Sequence, residues 1–285
     1  MNLYLCSRPV LIFLATVAFL LANSGVRAGD LGNLSTRGPV GTGDDVLIGG
    51  IIVTGNTPKR VILRAIGSPL NANGTSGLTV LQDPILNLCD SSGSILQTND
   101  DWRYGPELEL EASTLAPQGD YDSAIIATLE PGHYTAIIHG YAHSTGIALV
   151  EVYDPAPASG SLLAEVSTRG SVRTGDDILI GGFIVLNSAT KVLLRAIGPE
   201  LTAFGISHAL ENPTLELRDA NAALIEANDD WKSDNEQAII DTGMPPKDPR
   251  ESAIVRSVVP GSYTALVRGK ADTTGTALVE IYRLP

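Results

Sequence analysis

The chain is written twice. "NLSTRGPVGTGDDVLIGGIIV", from Asn33 to Val53, returns as "EVSTRGSVRTGDDILIGGFIV", from Glu165 to Val185. "KRVILRAIGSPL" returns as "TKVLLRAIGPEL", and "DPILNLCDSSGSILQTNDDW" as "NPTLELRDANAALIEANDDW". "PGHYTAIIHGYAHSTGIALVEVY" returns as "PGSYTALVRGKADTTGTALVEIY". The offset is about 130 residues throughout. A solenoid unit has only roughly 20–50 residues, so each copy has the size of a whole domain with its own core. This predicts a first copy over residues 29–153, a linker over 154–164 and a second copy over 165–285. The linker "DPAPASGSLLA" is rich in Pro, Ala, Ser and Gly, the composition of a semi-extended joint, so the copies are expected to fold separately.

Within each copy the period is that of strands. In "YTALVRG", Tyr263, Ala265 and Val267 face one way, while Thr264, Leu266 and Arg268 face the other. "TALVEIY" follows after "KADTTG", with Ala277, Val279 and Ile281 inward and Glu280 outward, and the two read as a hairpin. "DDILIGGFIVL" is too apolar to alternate, as in a strand covered on both faces. Its Gly181-Gly182 pair implies a bulge or a close backbone approach. About eight strands per copy, with 29 Gly and 17 Pro to turn them, predict an all-β chain of two tandem antiparallel, jelly-roll-like β-sandwich domains. One short helix per copy is expected, near "DNEQAIIDTG" and its counterpart "ELELEASTLA".

The first 28 residues carry Arg8, then the apolar run "VLIFLATVAFLLA", then small residues ending at Ala28. That is the layout of a cleaved secretory signal peptide, and the run is shorter than the ~20 residues a membrane span needs. Export follows as an expectation: secreted, periplasmic or cell-surface, with no membrane insertion after cleavage. Cleavage removes Arg8 and Arg27 and no acid, leaving 17 bases against 32 acids and a net charge of −15. Such a chain repels phosphate backbones, which argues against nucleic acid as a partner. Cys6 leaves with the leader, and the remaining odd cysteine, Cys89, is a candidate for pairing between molecules or for simple burial.

The stretch from "NPTLELRD" through "NDDW" to "PGSYTALVRG" and "GTALVEIY" resembles the bacterial pre-peptidase C-terminal domain family, small β-sandwich modules appended to exported proteins. The wider pattern "STRG…TGDD…LIGGFIV…LRAIGP…NDDW" is similar to tandem modules of secreted and surface proteins of environmental bacteria. The resemblance covers nearly the whole mature chain and implies accessory, binding or structural work. No peptidase or other catalytic motif is expected beside these modules in this sequence.

The chemistry that could be carried is sparse. There is no nucleophile elbow, no HExxH and no P-loop, and "GTGDD" lacks the ending that grips phosphate. His133, His139 and His143 invite a zinc reading. Yet His133 and His139 stand about 20 Å apart along one strand, and the second copy has Ser262, Arg268 and Asp272 in their places. Arg64 and Arg195 sit inside apolar strands, where a guanidinium either grips a ligand or pairs with a carboxylate. Asp44 and Asp45, or Asp176 and Asp177, are the expected partners.

Both tryptophans of the chain, Trp102 and Trp231, follow Asn-Asp-Asp. Asn99, Asp100 and Asp101, and Asn228, Asp229 and Asp230, are therefore the candidate metal ligands. Calcium is the ion such oxygens would take, although no DxDxDG loop surrounds them. The competing readings are a strand corner, in which the acids cap backbone N–H groups and the Trp packs on its own copy, and a Trp exposed for carbohydrate stacking. Adjacent strand acids point apart, so a glycosidase pair is not expected. The function expected is that of an exported, non-catalytic binding or structural protein without a cofactor, meeting a surface protein or glycan. A calcium-dependent adhesin and a secreted hydrolase are the alternatives. The adhesin requires exposed aromatics beside the acidic loops.

Overall fold

A computed structural model of the chain describes residues 31–73, 78–156 and 160–284. The expected leader and the middle of the linker lie outside the described residues. Among these residues no helix is long and apolar enough to cross a membrane.

The first copy forms eight strands: β1 (Leu31–Val40), β2 (Leu47–Thr54), β3 (Lys59–Ile66), β4 (Pro84–Asp90), β5 (Ile95–Asn99), β6 (Ser123–Leu129), β7 (Gly132–Gly140) and β8 (Gly146–Tyr153). The second repeats them as β9 (Leu162–Val172), β10 (Leu179–Val185), β11 (Thr190–Ile197), β12 (Pro213–Asp219), β13 (Leu224–Asn228), β14 (Ser252–Val258), β15 (Gly261–Gly269) and β16 (Gly275–Arg283). Each copy adds one short helix between its fifth and sixth strands, α1 (Glu107–Ser113) and α2 (Glu236–Ile240), both where the sequence places them.

The strands make two antiparallel eight-stranded sheets, β13-β12-β15-β10-β1-β8-β3-β6 and β14-β11-β16-β9-β2-β7-β4-β5. Within the first copy the orders are 1-8-3-6 and 2-7-4-5, the winding of a jelly roll, and the second copy repeats it. The all-β sandwich expectation therefore holds.

The expected independence of the copies does not. Each sheet crosses from one copy to the other without a break. Strand β1 pairs with β10, aligning Leu34 with Phe183, and β2 pairs with β9, aligning Ile51 with Val166. Phe183 is the repeat of Ile51 and Val166 the repeat of Leu34, so the two junctions are one junction related by an internal two-fold axis. Near that axis the Thr168 hydroxyl donates to Thr36 Oγ1 at 2.8 Å. The buried core is continuous, with Leu34, Leu47 and Ile51 in one cluster with Leu179 and Phe183.

The joint is fastened rather than loose. Buried Asp154 takes the buried Lys59 ammonium at 2.6 Å, and Lys59 also donates to Ala156 O. Ser161 bonds to Thr57, and β9 begins at Leu162. Linker composition described the covalent joint, whereas the paired edges of four strands decide the association.

Three local expectations change. The Gly-Gly pairs sit in unbroken register, Gly181 opposite Ala265 and Gly182 opposite Thr264, so they serve close approach and not a bulge. Strand β10 alternates between buried and half-buried positions, unlike β2, which is buried from Leu47 to Ile51. Strands β15 and β16 do not form a hairpin. The first pairs with β10 and β12, the second with β9 and β11, in the opposite sheet. Alternation is the same in both arrangements; the turn between them carries the chain across the sandwich. Cys89 is buried on β4.

Candidate functional site

The apolar strands bury their arginines with an acid from the next strand. Arg64 on β3 lies opposite Glu151 on β8, and Arg195 on β11 lies opposite Glu280 on β16. Arg195 donates Nε to Glu280 Oε2 at 2.7 Å, Nη1 to Met244 O at 2.8 Å and Nη2 to the Tyr282 hydroxyl at 3.0 Å. The Tyr282 hydroxyl in turn donates to Glu280 Oε1 at 2.8 Å. Arg64, Glu151, Tyr153 and Leu115 O repeat the arrangement. Burial, then the Glu151 charge, pushes the Tyr153 hydroxyl up to about 12, which keeps it a donor to Glu151. Pairing with the TGDD acids is thus corrected. The outer face of β16 is covered here, so Glu280, expected outward, is fully buried. Every polar edge of the guanidinium is used by its own copy, which leaves it no ligand to grip.

The TGDD segments lie at the seam instead. The Arg37 guanidinium donates to the Asp176 backbone O at 3.3 Å and the Arg169 guanidinium lies in the field of Asp44 and Asp45, both across the seam, while Asp177 pairs locally with Arg173 of its own copy. Burial is the larger effect on Arg169 and pulls it below the usual guanidinium range.

The two Asn-Asp-Asp-Trp corners are built alike. Trp102 is 2 % exposed and its indole donates to Gly119 O at 3.0 Å; Trp231 is 5 % exposed and donates to Asp248 O at 3.1 Å. Trp102 packs with Ile62, Leu110 and Ala124, and Trp231 with Leu193, Ile239 and Tyr282. Both rings are therefore closed to a stacking sugar. The backbone cap comes from the asparagine and not, as expected, from the acids. Asn99 Oδ1 accepts the Ala124 N–H at 2.8 Å, and Asn228 Oδ1 accepts that of Ala253 at 3.0 Å.

The acids are thereby released from the corner, and here the copies part. In the first, Asp100 and Asp101 at the end of β5 meet Asp83, the residue before β4, so that one oxygen from each lies within 4.8 Å of the others. Asp83 Oδ1 and Asp100 Oδ1 are buried and face no donor among the described residues. Burial, then the charges of Asp100 and Asp101, pushes the Asp83 carboxyl up to about 6. Asp100 is raised by burial and by Asp101, against the pull of His139. This is the one group among the described residues that gathers three potential ligand atoms, and it contains no histidine, so the zinc reading gains nothing. Chemically the trio can share a proton or hold a hard cation through oxygen.

In the second copy Asn212 replaces Asp83. In the orientation that satisfies both ends of its amide, its nitrogen donates to Asp229 Oδ1 at 3.1 Å. The Lys270 ammonium sits 2.5 Å from Asp229 Oδ2. The first copy has Tyr141 in that place. Tyr141 N donates to Asp83 O at 2.9 Å, as Lys270 N does to Asn212 O at 2.9 Å. Tyr141 is 54 % exposed and Tyr104, two residues beyond Trp102, is 89 % exposed.

Of the expected ligands, Asp100 and Asp101 come together, Asn99 turns to the backbone, and Asn228, Asp229 and Asp230 lie in a corner where lysine meets Asp229. Asp83 was missed. Its signal was the duplication itself, "DP" in one copy against "NP" in the other. No protein-family model and no curated protein matches this chain.

Proposed function

We propose that this is an exported, non-catalytic β-sandwich protein that works by binding, at the cell envelope or outside the cell, as its resemblance to the pre-peptidase C-terminal modules implies. The observation that carries the reading is the difference between two equivalent corners. The same scaffold is closed in the second copy by Lys270 and Asn212, and left acidic in the first beside Tyr141 and Tyr104. A corner kept only for folding would need no such difference. The arginines and tryptophans that could have served a ligand are spent on packing.

A second reading sharpens the first: a calcium-dependent adhesin for a glycan or surface protein. It is favoured by the buried, donorless oxygens of Asp83 and Asp100 and by the ammonium that stands at the equivalent carboxylate in the other copy. Calcium prefers six to eight oxygens, so solvent or a ligand hydroxyl would complete the shell. The test is a glycan array probed with the whole exported chain, with calcium and with a chelator, followed by Asp100→Asn. Calcium-dependent binding that Asp100→Asn removes supports the adhesin. Binding indifferent to calcium leaves the broader reading and removes the finer one. Hydrolysis of an arrayed glycan would overturn both.

A further inference from the structure

The residue before β14, Glu251, is fully buried. Its Oε1 accepts the N–H of Gly198 at 3.1 Å and of Glu200 at 2.9 Å, where the 3₁₀ turn Pro199–Phe204 begins. Its backbone accepts the Trp231 N–H at 2.8 Å and donates to Asp248 O at 3.2 Å. Its Oε2 faces no donor among the described residues. The first copy carries Asp122 in this place and divides the work: Oδ1 accepts Gly67 N–H at 2.8 Å and Oδ2 accepts Gly119 N–H at 3.0 Å. The longer glutamate takes two N–H donors of the turn, Gly198 and Glu200, on one oxygen and leaves the other bare.

The charged groups around it are already committed. From the 3₁₀ turn comes Glu200, whose carboxylate takes the Lys247 N–H and lies 3.8 Å from Lys247 Nζ. On its own loop, Arg250 feels the Glu251 charge but is held by Asp248 at 2.8 Å. Glu211, before β12, acts on the same Arg250. From β11, Arg195 is bound to Glu280 of β16, and at the end of β13, Asp229 is bound to Lys270. An ionised Glu251 would thus be a buried charge beside a second acid, with one oxygen unsolvated, which is costly.

We infer that Glu251 is a proton-operated latch: protonated, it lets the turn Pro199–Phe204 stay packed on the loop 244–251, and ionised, its buried charge and bare oxygen loosen both. In support, burial pushes the carboxyl up to about 7, and the Glu200 charge adds to it against the N–H donors of Glu200 and Gly198. Because the folded value lies above the unfolded one, the folded state holds an extra proton between them. The latch therefore closes as pH falls through about 7 and is released above it.

Amide hydrogen exchange on the full chain between about pH 5.5 and 8.5, corrected for intrinsic chemistry, tests this. Protection at Gly198 and Glu200 should fall by up to about tenfold per pH unit as pH rises toward about 7 and level off above it, while at Gly67, whose partner Asp122 is pushed up to about 6 by burial, the fall should end at a lower pH. Glu251→Gln should remove the dependence. Protection at Gly198 and Glu200 that is independent of pH, or a dependence there that survives Glu251→Gln, overturns the latch. Should that variant fail to fold, carbon NMR of the wild-type carboxyl decides: a midpoint near 7 supports the latch, and one near the ordinary value of 4.5 overturns it.

Discussion

Gly182 lies so close to Ser35 of the other copy that a methyl group on it would stand 2.7 Å from Ser35 Oγ, and Gly50 meets Ser167 in the same way. The "LIGG" glycine and the "STRG" serine are thus two sides of one contact, made twice across the internal two-fold axis. Segments that hold the halves together, STRG and LIGG, are repeated without change.

The two glycines of each pair should differ in direction. A Cβ at Gly49 would find only ordinary contacts, with Val150 at 3.7 Å and Ala136 at 3.8 Å. Gly50→Ala and Gly182→Ala should each cost about 1 kcal/mol, because the Ser hydroxyl they meet must rotate away and give up its place at the seam. Gly49→Ala should be near neutral, because alanine also loses less backbone entropy in a strand. Urea unfolding of the three variants checks this; equal losses would remove the seam from the explanation.

An isolated second copy should not be a stable monomer. It would bare the edges of β9 and β10 and uncover Phe183, which is 1 % exposed in the whole chain. Exposed apolar edges pair with whatever fits. Since the seam is two-fold, the fitting surface is another second copy. Residues 160–285 alone should sediment as a dimer or aggregate, and a folded monomer at micromolar concentration would contradict the continuous sheets.

Removing the Arg195 guanidinium leaves Glu280 buried with only Tyr282 for company. Arg195→Met should cost about 3–5 kcal/mol. Glu280→Gln in the same chain should recover part of it, since an amide needs no counter-charge. Asp177→Asn should recover none. Rescue through Asp177 would restore the pairing that the sequence suggested.

The residues show why some of this was legible. Alternation in "YTALVRG" fixes which side chains are buried, and the structure buries Tyr263, Ala265 and Val267. Alternation says nothing about which strand lies alongside, so β15 and β16 looked like a hairpin. The apolar run around Arg195 announced a buried ion pair. The partner, however, is Glu280, 85 positions away and set by strand register, while the nearer acids Asp176 and Asp177 only precede the run. The corner of Asn99 and Asn228 was legible as a corner from residue types that favour turns. Asp83, which completes the acidic trio, lies just before a different strand and comes into view only when the copies are laid over each other.

That comparison also supplies the sharpest test of the acidic corner. If the trio awaits a cation, then the residue that closes the second copy should close the first. Tyr141 and Lys270 leave the chain at the same place, each with its N–H on the residue before the fourth strand of its copy. Tyr141→Lys should therefore bring an ammonium to Asp100, as Lys270 reaches Asp229 at 2.5 Å. Without added calcium the variant should melt higher than wild type, because repulsion among three acids is relieved. With calcium, wild type should gain by mass action, about 2.7 kcal/mol at a hundred times its dissociation constant, and the variant should gain little. Asp83→Asn should mimic Asn212 and also weaken the response. Melting curves of the three proteins in millimolar calcium and in chelator settle the matter. If wild type ignores calcium while Tyr141→Lys still stabilises, the trio relieves itself by sharing a proton rather than by holding a metal. If neither changes anything, the difference between the corners is incidental, and the binding reading loses the observation it stands on.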